Sequence, residues 1–570
     1  MEPELGAGDA AGGSGSAPPA GEPGAGRAGG HAARVAAGIL LSRLAGFARE
    51  ALAGYYFGVG AWGDVYSLAM RLPNLLQSLL GDQALSASFI PFYSKMLAEK
   101  REEDAGRFAG AILGLLMIVA GALALAGVLL AEPLVAVTAP GYVQDAAKVA
   151  AGLLPIDRYA LTVQQVRVLF PMAGLLVLSA WALAVLNSHR RFFLPYFAPV
   201  VWNLSIIATL AVAGSRFGGA HMTPDARSRL LYVSAWGALL GGALQLGVQL
   251  PAVVRLLRGF RLSFSTRVAG VRQALAAFGP LLAGRGAMQL SAYLDYFLAS
   301  LAAVGAASAL RYSTTLFLLP VSLFATSVAV TELPEMSRLG EDDARKARLA
   351  AAWRQIAFLV APTAVGFLAF GWLVVGLVFR RGAFGAQDQF LVAVVLASFT
   401  LGLLPATSSR LLQNLFYSVH ETKYPARLAV LRVVVAIAGG AALMFWLDRW
   451  GVSRWAGGPV GTGELRLGAA GLGLASSAGA WLELVLLARS AQRLLPGLVL
   501  PWGPVARMTA LALGAGALAG GVWWLLWKLQ SGLQLSLVAA VVLASYAVAY
   551  LAMAAALRFP EMRSWLGRIR

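Results

Sequence analysis

The chain has 570 residues, 59% of them hydrophobic and 13% charged, with a formal net charge of +19. A soluble domain carries about 25% charged residues, so half that density with recurring long apolar runs indicates a polytopic membrane protein. With no Cys, four scattered His and no GxxxxGK[ST] or HExxH motif, disulfides, thiolate metal sites, ATPase and zinc-protease chemistry are excluded, and the chain reads as no enzyme.

Residues 1–32 are rich in Gly, Ala and Pro and lack the basic start and apolar core of a signal peptide. They read as a disordered cytoplasmic tail. Apolar cores then follow at 33–57, 63–93, 107–137, 160–187, 193–215, 229–256, 271–303, 308–335, 350–379, 388–418, 425–447, 467–489, 503–528 and 533–557. That predicts about 14 transmembrane helices in an all-α bundle with short connections. The basic residues gather in loops on one side, at 95–107, 189–191, 255–272, 338–354, 420–427, 489–507 and the C-terminal segment. That side is expected to be cytoplasmic, with both termini on it, and the positive charge reads as membrane orientation and not as nucleic-acid binding.

An internal repeat organises the helices. LNSHRRFFLP (186–195) aligns without gaps to FYSVHETKYP (416–425), an offset of 230. Pro91, Ser94 and Lys95 fall opposite Pro334, Ser337 and Arg338, and Arg71 falls opposite Arg311, at offsets of 243 and 240. Six helices per copy is an even number, so the copies share one orientation, related by an axis along the membrane normal. The expected domains are a six-helix lobe at 33–260, a second at 261–495, helices 13 and 14 at 496–558, and a basic cytoplasmic tail at 559–570. Two lobes with a cleft between them is the architecture of a transporter.

Several charges interrupt the apolar runs. In DVYSLAMRLPNLLQSLLGD (64–82), Asp64, Ser67, Arg71, Asn74, Ser78 and Asp82 fall within an arc of roughly 80° at 100° per residue. Helix 1 carries Arg43, Arg49 and Glu50, helix 7 Arg285 and Asp295, helix 8 Arg311, Glu332 and Glu335, and helix 10 Arg410. A cation in the bilayer centre costs at least about 2.5–3.5 kcal/mol, so such residues face a hydrated cavity or one another. Static pairing, for example of Asp64 with Arg71 or of Glu50 with Arg49, is the plain alternative for any single residue. For the set, Arg outnumbers nearby acids, which suits an anionic ligand such as a phosphate. The tryptophans read as an interfacial belt, and GALLGGAL (237–244) and GAGALAGG (514–521) as close helix packing.

SRLAGFAREALAGYYFGVGAWGDVYSLAMRLPNLL followed by GDQALSASFIPFYSK resembles the start of the MurJ/MviN family, the lipid II flippases of the multidrug/oligosaccharidyl-lipid/polysaccharide exporter superfamily. The similarity continues at 168–207, 309–338 and 409–430, covering most of residues 33–450. The resemblance implies two lobes around a cationic cavity that takes the diphosphate-sugar head of lipid II. It also implies alternating access from the cytoplasmic to the outer leaflet, and a groove at helices 13 and 14 for the polyprenyl tail. The family's cavity arginines fall on Arg43, Arg49 and Arg311, its helix-2 acid on Asp64, a basic residue before the LPN motif on Arg71, and a further acid on Asp82. Gln77 stands where many members have Arg, and Arg285 is the candidate replacement.

These readings set the expected function as lipid II flipping for peptidoglycan synthesis in a bacterial inner membrane. No cofactor is expected; a membrane potential or ion gradient would drive the cycle, with membrane lipids and cell-wall synthases as candidate partners. A flippase for another polyprenyl-diphosphate-linked oligosaccharide is the alternative. A drug exporter would need acids to dominate the cavity. A glycosyltransferase would want an acid cluster in an outer loop or a soluble catalytic domain, and a scaffold would leave the arginines unexplained.

Overall fold

The computed structural model describes residues 25–81, 85, 88–322, 332, 336, 338, 341–457, 464–529 and 534–562; at 25–37, 75–76, 79 and 279–292 it describes the backbone alone. Among the described residues the fold is helical throughout, with one isolated β-bridge between Gly451 and Arg466. The N-terminal half comprises α1 (Ala25–Phe57), α2 (Ala61–Leu80), α3 (Ile90–Ala98), α4 (Glu102–Leu129), α5 (Ala131–Thr138), α6 (Asp145–Ala150), α7 (Arg158–Ser188), α8 (Phe193–Arg216) and α9 (Pro224–Leu256). The C-terminal half comprises α10 (Val271–Leu301), α11 (Ala306–Pro320), α12 (Asp342–Phe379), α13 (Ala386–Thr400), α14 (Leu403–Ser418), α15 (Lys423–Leu447), α16 (Ser453–Ala456) and α17 (Gly468–Leu494). Two further helices, α18 (Trp502–Lys528) and α19 (Leu535–Ala556), follow.

A helix lies in each of the fourteen expected stretches, but among the described residues ten spans are long and apolar enough to cross a membrane, α13 and α14 counting together as one. Besides the short helices α3, α5, α6 and α16, the helices that fall outside the ten are α1, α2, α10 and α11. Of these, α1, α2 and α10 carry Arg43, Arg49, Asp64, Arg71 and Arg285, which lower their hydropathy, whereas α11, with Arg311, is described for only 15 residues. The expected span at 388–418 is interrupted at Leu401–Gly402, where α13 ends and α14 begins.

The repeat seen in sequence recurs as backbone geometry. α7 ends at Ser188 and α14 at Ser418; α8 begins at Phe193 and α15 at Lys423, both 230 residues on. The joint between each pair turns through a non-glycine residue in left-handed conformation, Arg190 at φ 57° and His420 at φ 62°. Such a conformation costs a side-chain-bearing residue free energy, so its recurrence at one offset marks the same joint built twice.

The C-terminal pair docks on α12 at a proline. Pro362 has no N–H to give the carbonyl of Phe358, four residues earlier, and in hydrocarbon an orphan carbonyl is costly. The Tyr550 hydroxyl of α19 donates to that carbonyl at 2.8 Å, and Tyr546, one turn before it, donates to the carbonyl of Pro362 itself at 2.7 Å.

Candidate functional site

The two halves meet along the face of α1 and α2 that looks at α11. The turn into α11 passes through Gly305 at φ 91°, where a Cβ would stand 2.5 Å from Leu465 and 3.0 Å from Val59. The opposing turn passes through Gly58 at φ 60°, where a Cβ would meet the Ala383 carbonyl oxygen at 2.8 Å. Glycine at both places lets backbone from one half lie against backbone from the other.

Asp64, near the start of α2, occupies that contact. One carboxylate oxygen accepts from the Gly305 N–H at 2.7 Å and the other from the Ser308 N–H at 2.9 Å and hydroxyl at 2.8 Å. The carboxylate thereby caps the first turn of a helix in the other half, where free N–H groups and the helix dipole favour an anion. Behind it Arg158 of α7 reaches Asp64 at 3.2 Å and grips Asp145 at 2.6 and 3.3 Å. Lys148 donates to Asp145 at 3.3 Å, so two carboxylates meet two cations. Asp64, Arg158 and Asp145 are 1%, 3% and 0% exposed, a closed network that does not face a ligand. Neighbouring bonds seal the same end: Val59 N–H to Asp388, Gly60 N–H to Ser308 and Ala383 N–H to the Tyr55 carbonyl.

Further along the seam lies a second network. Glu50 of α1 accepts from Arg49 at 2.6 Å and, through both oxygens, from Arg311 of α11 at 2.7 Å twice. The Arg311 guanidinium lies 4.8 Å from the centre of the Tyr66 ring, and Arg49 lies 4.7 Å from that of Trp202. Trp202 is thus a partner of Arg49. Two guanidiniums share one carboxylate, leaving an excess of one positive charge across the junction. Arg43, nearer the other end of α1, donates to the Ser322 hydroxyl just beyond α11.

Beside this triad a cavity with an empty volume of ≈ 710 Å³ opens between α2 and the C-terminal half, lined by Arg71, Asp295, Tyr296, Thr314, Arg432 and Ser477 among others. Arg71 does not pair with Asp64. Its guanidinium lies 5.4 and 5.3 Å from the ring centres of Tyr293 and Tyr296, and its Nε is buried without a hydrogen-bond partner. Arg432 of α15 donates to Glu483 of α17 at 2.9 Å, which also accepts from Gln413 at 2.8 Å.

The structure therefore gathers Arg49, Arg71 and Arg311 around the seam and its cavity, sets Arg43 toward one end, and places Asp64 in the closed network at the other. Asn74 and Gln77 are half-buried on α2. Asp82 lies outside the described residues; Arg285 falls within α10, but its side chain lies outside them. Sequence reasoning missed Arg158, Asp145, Arg432 and Glu483. The last two each stand alone in an apolar run (LAVLRVVVAIAG, AGAWLELVLLA) and could have been flagged by that signal, whereas Arg158 and Asp145 sit at the starts of α7 and of the short α6. Chemically, the arrangement presents guanidiniums, aromatic faces and hydroxyls around an open volume, which suits reversible binding of an anion carrying polar substituents. Among the described residues no three His, Asp or Glu gather as a metal site requires.

A sequence profile of the family described as "Lipid II flippase MurJ" matches residues 53–543. The probable lipid II flippase MurJ of Rhizobium tropici is 31% identical over 493 residues, covering 86% of this chain and 85% of that protein. The lipid II flippase MurJ of Burkholderia cenocepacia is 28% identical, covering 70% and 74%. Among solved structures, a lipid II flippase MurJ in an inward closed conformation superposes with a TM-score of 0.68 at 18% identity, covering 92% of this chain and 99% of that one. An inward-facing multidrug resistance transporter of the MOP superfamily gives 0.58 at 14% identity, covering 80% and 95%. At such identities the structural likenesses speak for the fold alone.

Proposed function

The chain belongs to the lipid II flippase MurJ family, and from that premise we propose that it carries lipid II across a bacterial cytoplasmic membrane by alternating access. The observation that carries the mechanism is the Arg49–Glu50–Arg311 triad, which joins the two halves beside a cavity holding Arg71 and Arg432. A diphosphate offers guanidiniums the same two-oxygen acceptor geometry that Glu50 supplies in its absence. Entry of the head group exchanges that internal carboxylate for the substrate's phosphates, loosens the bond between α1 and α11, and lets the halves rock. The cycle makes and breaks no covalent bond.

In this reading Arg43, Arg49, Arg71 and Arg311 meet the phosphates in turn, Asn74 and Gln77 border their path, and Asp64 acts at a distance by holding α2 to α11. Asp82 joins the set on the family resemblance, and Arg285 as the candidate replacement for the cation absent at Gln77. The sealed end, bearing the 58–60 and 303–305 turns, is the outer one, and the basic loops at the other end support both termini being cytoplasmic. Exposed Leu513, Leu518, Trp524 and Val548 on α18 and α19 suit a polyprenyl tail. A membrane potential drives the return, at about 2.3 kcal/mol per charge per 100 mV. Cell-wall synthases, which consume the product, are the protein partners this reading anticipates.

The test is depletion of the protein in cells with the outer-leaflet lipid II pool measured by its accessibility to an external probe. The pool is expected to fall, to recover when the wild-type chain returns, and to stay low with Arg49→Ala or Arg311→Ala. A pool that does not change on depletion overturns the proposal.

A further inference from the structure

The connection between α9 and α10 does not loop away from the bundle. Residues 258–264 run along the first turns of α4, over three glycines spaced four apart. A Cβ at Gly106 would stand 1.9 Å from the carbonyl oxygen of Arg258, one at Gly110 2.1 Å from that of Arg261, and one at Gly114 2.2 Å from that of Ser263. The glycine row is what lets a second main chain lie this close to a helix. Main chain meets main chain once more where the Ser263 N–H donates to the Gly110 carbonyl at 3.4 Å.

This strap has an exposed face of mixed character. Phe260, Leu262 and Phe264 stand 39%, 48% and 55% exposed, alternating with Arg258 and Arg261 and followed by Arg267 and Arg272. Arg258 pairs with Glu102 at 2.8 Å. Arg261, Arg267 and Arg272 have no carboxylate within 4.0 Å among the described residues. Aromatic and aliphatic side chains that face outward between unpaired guanidiniums match the boundary between acyl chains and phosphate head groups.

Beside the strap lies a cleft with an empty volume of ≈ 490 Å³, walled by Leu80 of α2, Phe89 just before α3, Leu116 and Val119 of α4, and Leu275 and Phe278 of α10. On α10, Arg272 precedes Leu275 by one turn, so at 1.5 Å per residue the charge stands about 5 Å from the cleft along the axis. The cleft's walls come from the N-terminal half and from the first helix of the C-terminal half.

We propose that strap and cleft form a binding site for an anionic diacyl phospholipid, its phosphate held by Arg261, Arg267 and Arg272 and one acyl chain laid in the cleft between α2, α4 and α10. The cations select a lipid of net negative charge over a zwitterionic one, and the apolar walls require a chain that a soluble phosphate lacks. Because both halves contribute walls, an acyl chain in the cleft holds α2 and α10 apart at this end and favours the arrangement in which they are separated. The site is distinct from the charged seam and does not depend on what that seam transports.

The experiment uses the purified full-length protein, stripped of lipid in detergent, with phosphatidylglycerol carrying a photoactivatable group on one acyl chain and a phosphatidylcholine of identical chains. Phosphatidylglycerol is expected to label peptides covering 112–119 and 271–278 about tenfold more than phosphatidylcholine does. Glycerol phosphate in excess is expected not to compete. The triple variant R261Q/R267Q/R272Q, altered only at exposed side chains, brings phosphatidylglycerol labelling down to the phosphatidylcholine level. Leu116→Trp, which fills the cleft, removes cleft labelling by both lipids. Equal labelling by the two lipids, competition by glycerol phosphate, or unchanged labelling of the triple variant overturns the proposal; the triple variant decides it if Leu116→Trp does not fold.

Discussion

The seam between the halves and the docking of α18 and α19 on α12 are two ways of holding helices together in a membrane. At the seam, α1, α2 and α11 are joined by charges: Glu50 between Arg49 and Arg311, and Asp64 between Arg158 and the first N–H groups of α11. At α18 and α19 no ion pair is buried among the described residues, and two tyrosine hydroxyls reach backbone carbonyls of α12, that of Phe358, left without a donor by Pro362, and that of Pro362 itself. Apolar helices in lipid gain nothing from burial against each other, so packing and a few hydrogen bonds must fix them, and the partners of a backbone carbonyl are hard to exchange. A carboxylate shared by two guanidiniums can be replaced by another anion. The contrast separates a permanent contact from a reversible one.

The comparison breaks most sharply at Arg311. Arg311→Ala leaves Glu50 buried with one partner, and removing one member of a buried pair costs about 3–5 kcal/mol. Thermal unfolding in detergent should drop accordingly and transport should be lost, while Arg311→Lys, which keeps charge without the two-pronged geometry, should retain part of the stability. Asp64→Asn comes next: charged hydrogen bonds are worth about 1.5–3 kcal/mol, so the sealed end should open more often. Hydrogen exchange at 58–64 and 303–308 is the measurement, and unchanged protection there would count against the seal. Tyr550→Phe should cost about 1–2 kcal/mol by exposing the Phe358 carbonyl to no partner, with lipid II transport unchanged. If that variant instead abolishes transport with stability intact, the contact is not merely permanent.

The smallest effect concerns His189, outside the spans at the end of α7, whose ring lies 3.0 Å from the Tyr93 hydroxyl. Burial, aided by Arg191, lowers its pKa below the ordinary histidine value. The folded state then binds the proton less readily than the unfolded chain, so this contribution is complete above about pH 6.5 and fades as pH falls through the lowered value. A small stability loss on acidification, absent in His189→Gln, is expected from thermal unfolding at a series of pH values.

Much of this was legible in the chain because a charge in an apolar run has few innocent explanations. Arg49, Arg71 and Arg311 were found in that way, and the repeat at an offset of 230 predicted a joint that the backbone builds twice. The partners were harder. The closed network around Asp64 draws on Asp145, Arg158, Gly305 and Ser308, up to 244 residues away, and no local pattern connects them. The pairing of Arg311 was not legible either, since Glu50 stands beside Arg49 in the chain but its reach to the other half, 261 residues on, has no local signal. The break of the 388–418 span at Gly402 is a tertiary outcome: Ser477 of α17 packs against that glycine, where a Cβ would come within 2.7 Å.

The sharing of Glu50 also sets the net charge that the proposed potential-driven return would move. Without that carboxylate the junction would present two bare guanidiniums to the field across the membrane; with it, the resting triad carries one net charge. At about 2.3 kcal/mol per charge per 100 mV, the built-in counter-anion halves the work the field does on these three side chains. It also spares the empty carrier a mutual repulsion that would otherwise resist closure. In the proposed potential-driven return, the voltage sensitivity rests on the acid as much as on the arginines, and Glu50→Gln should steepen it.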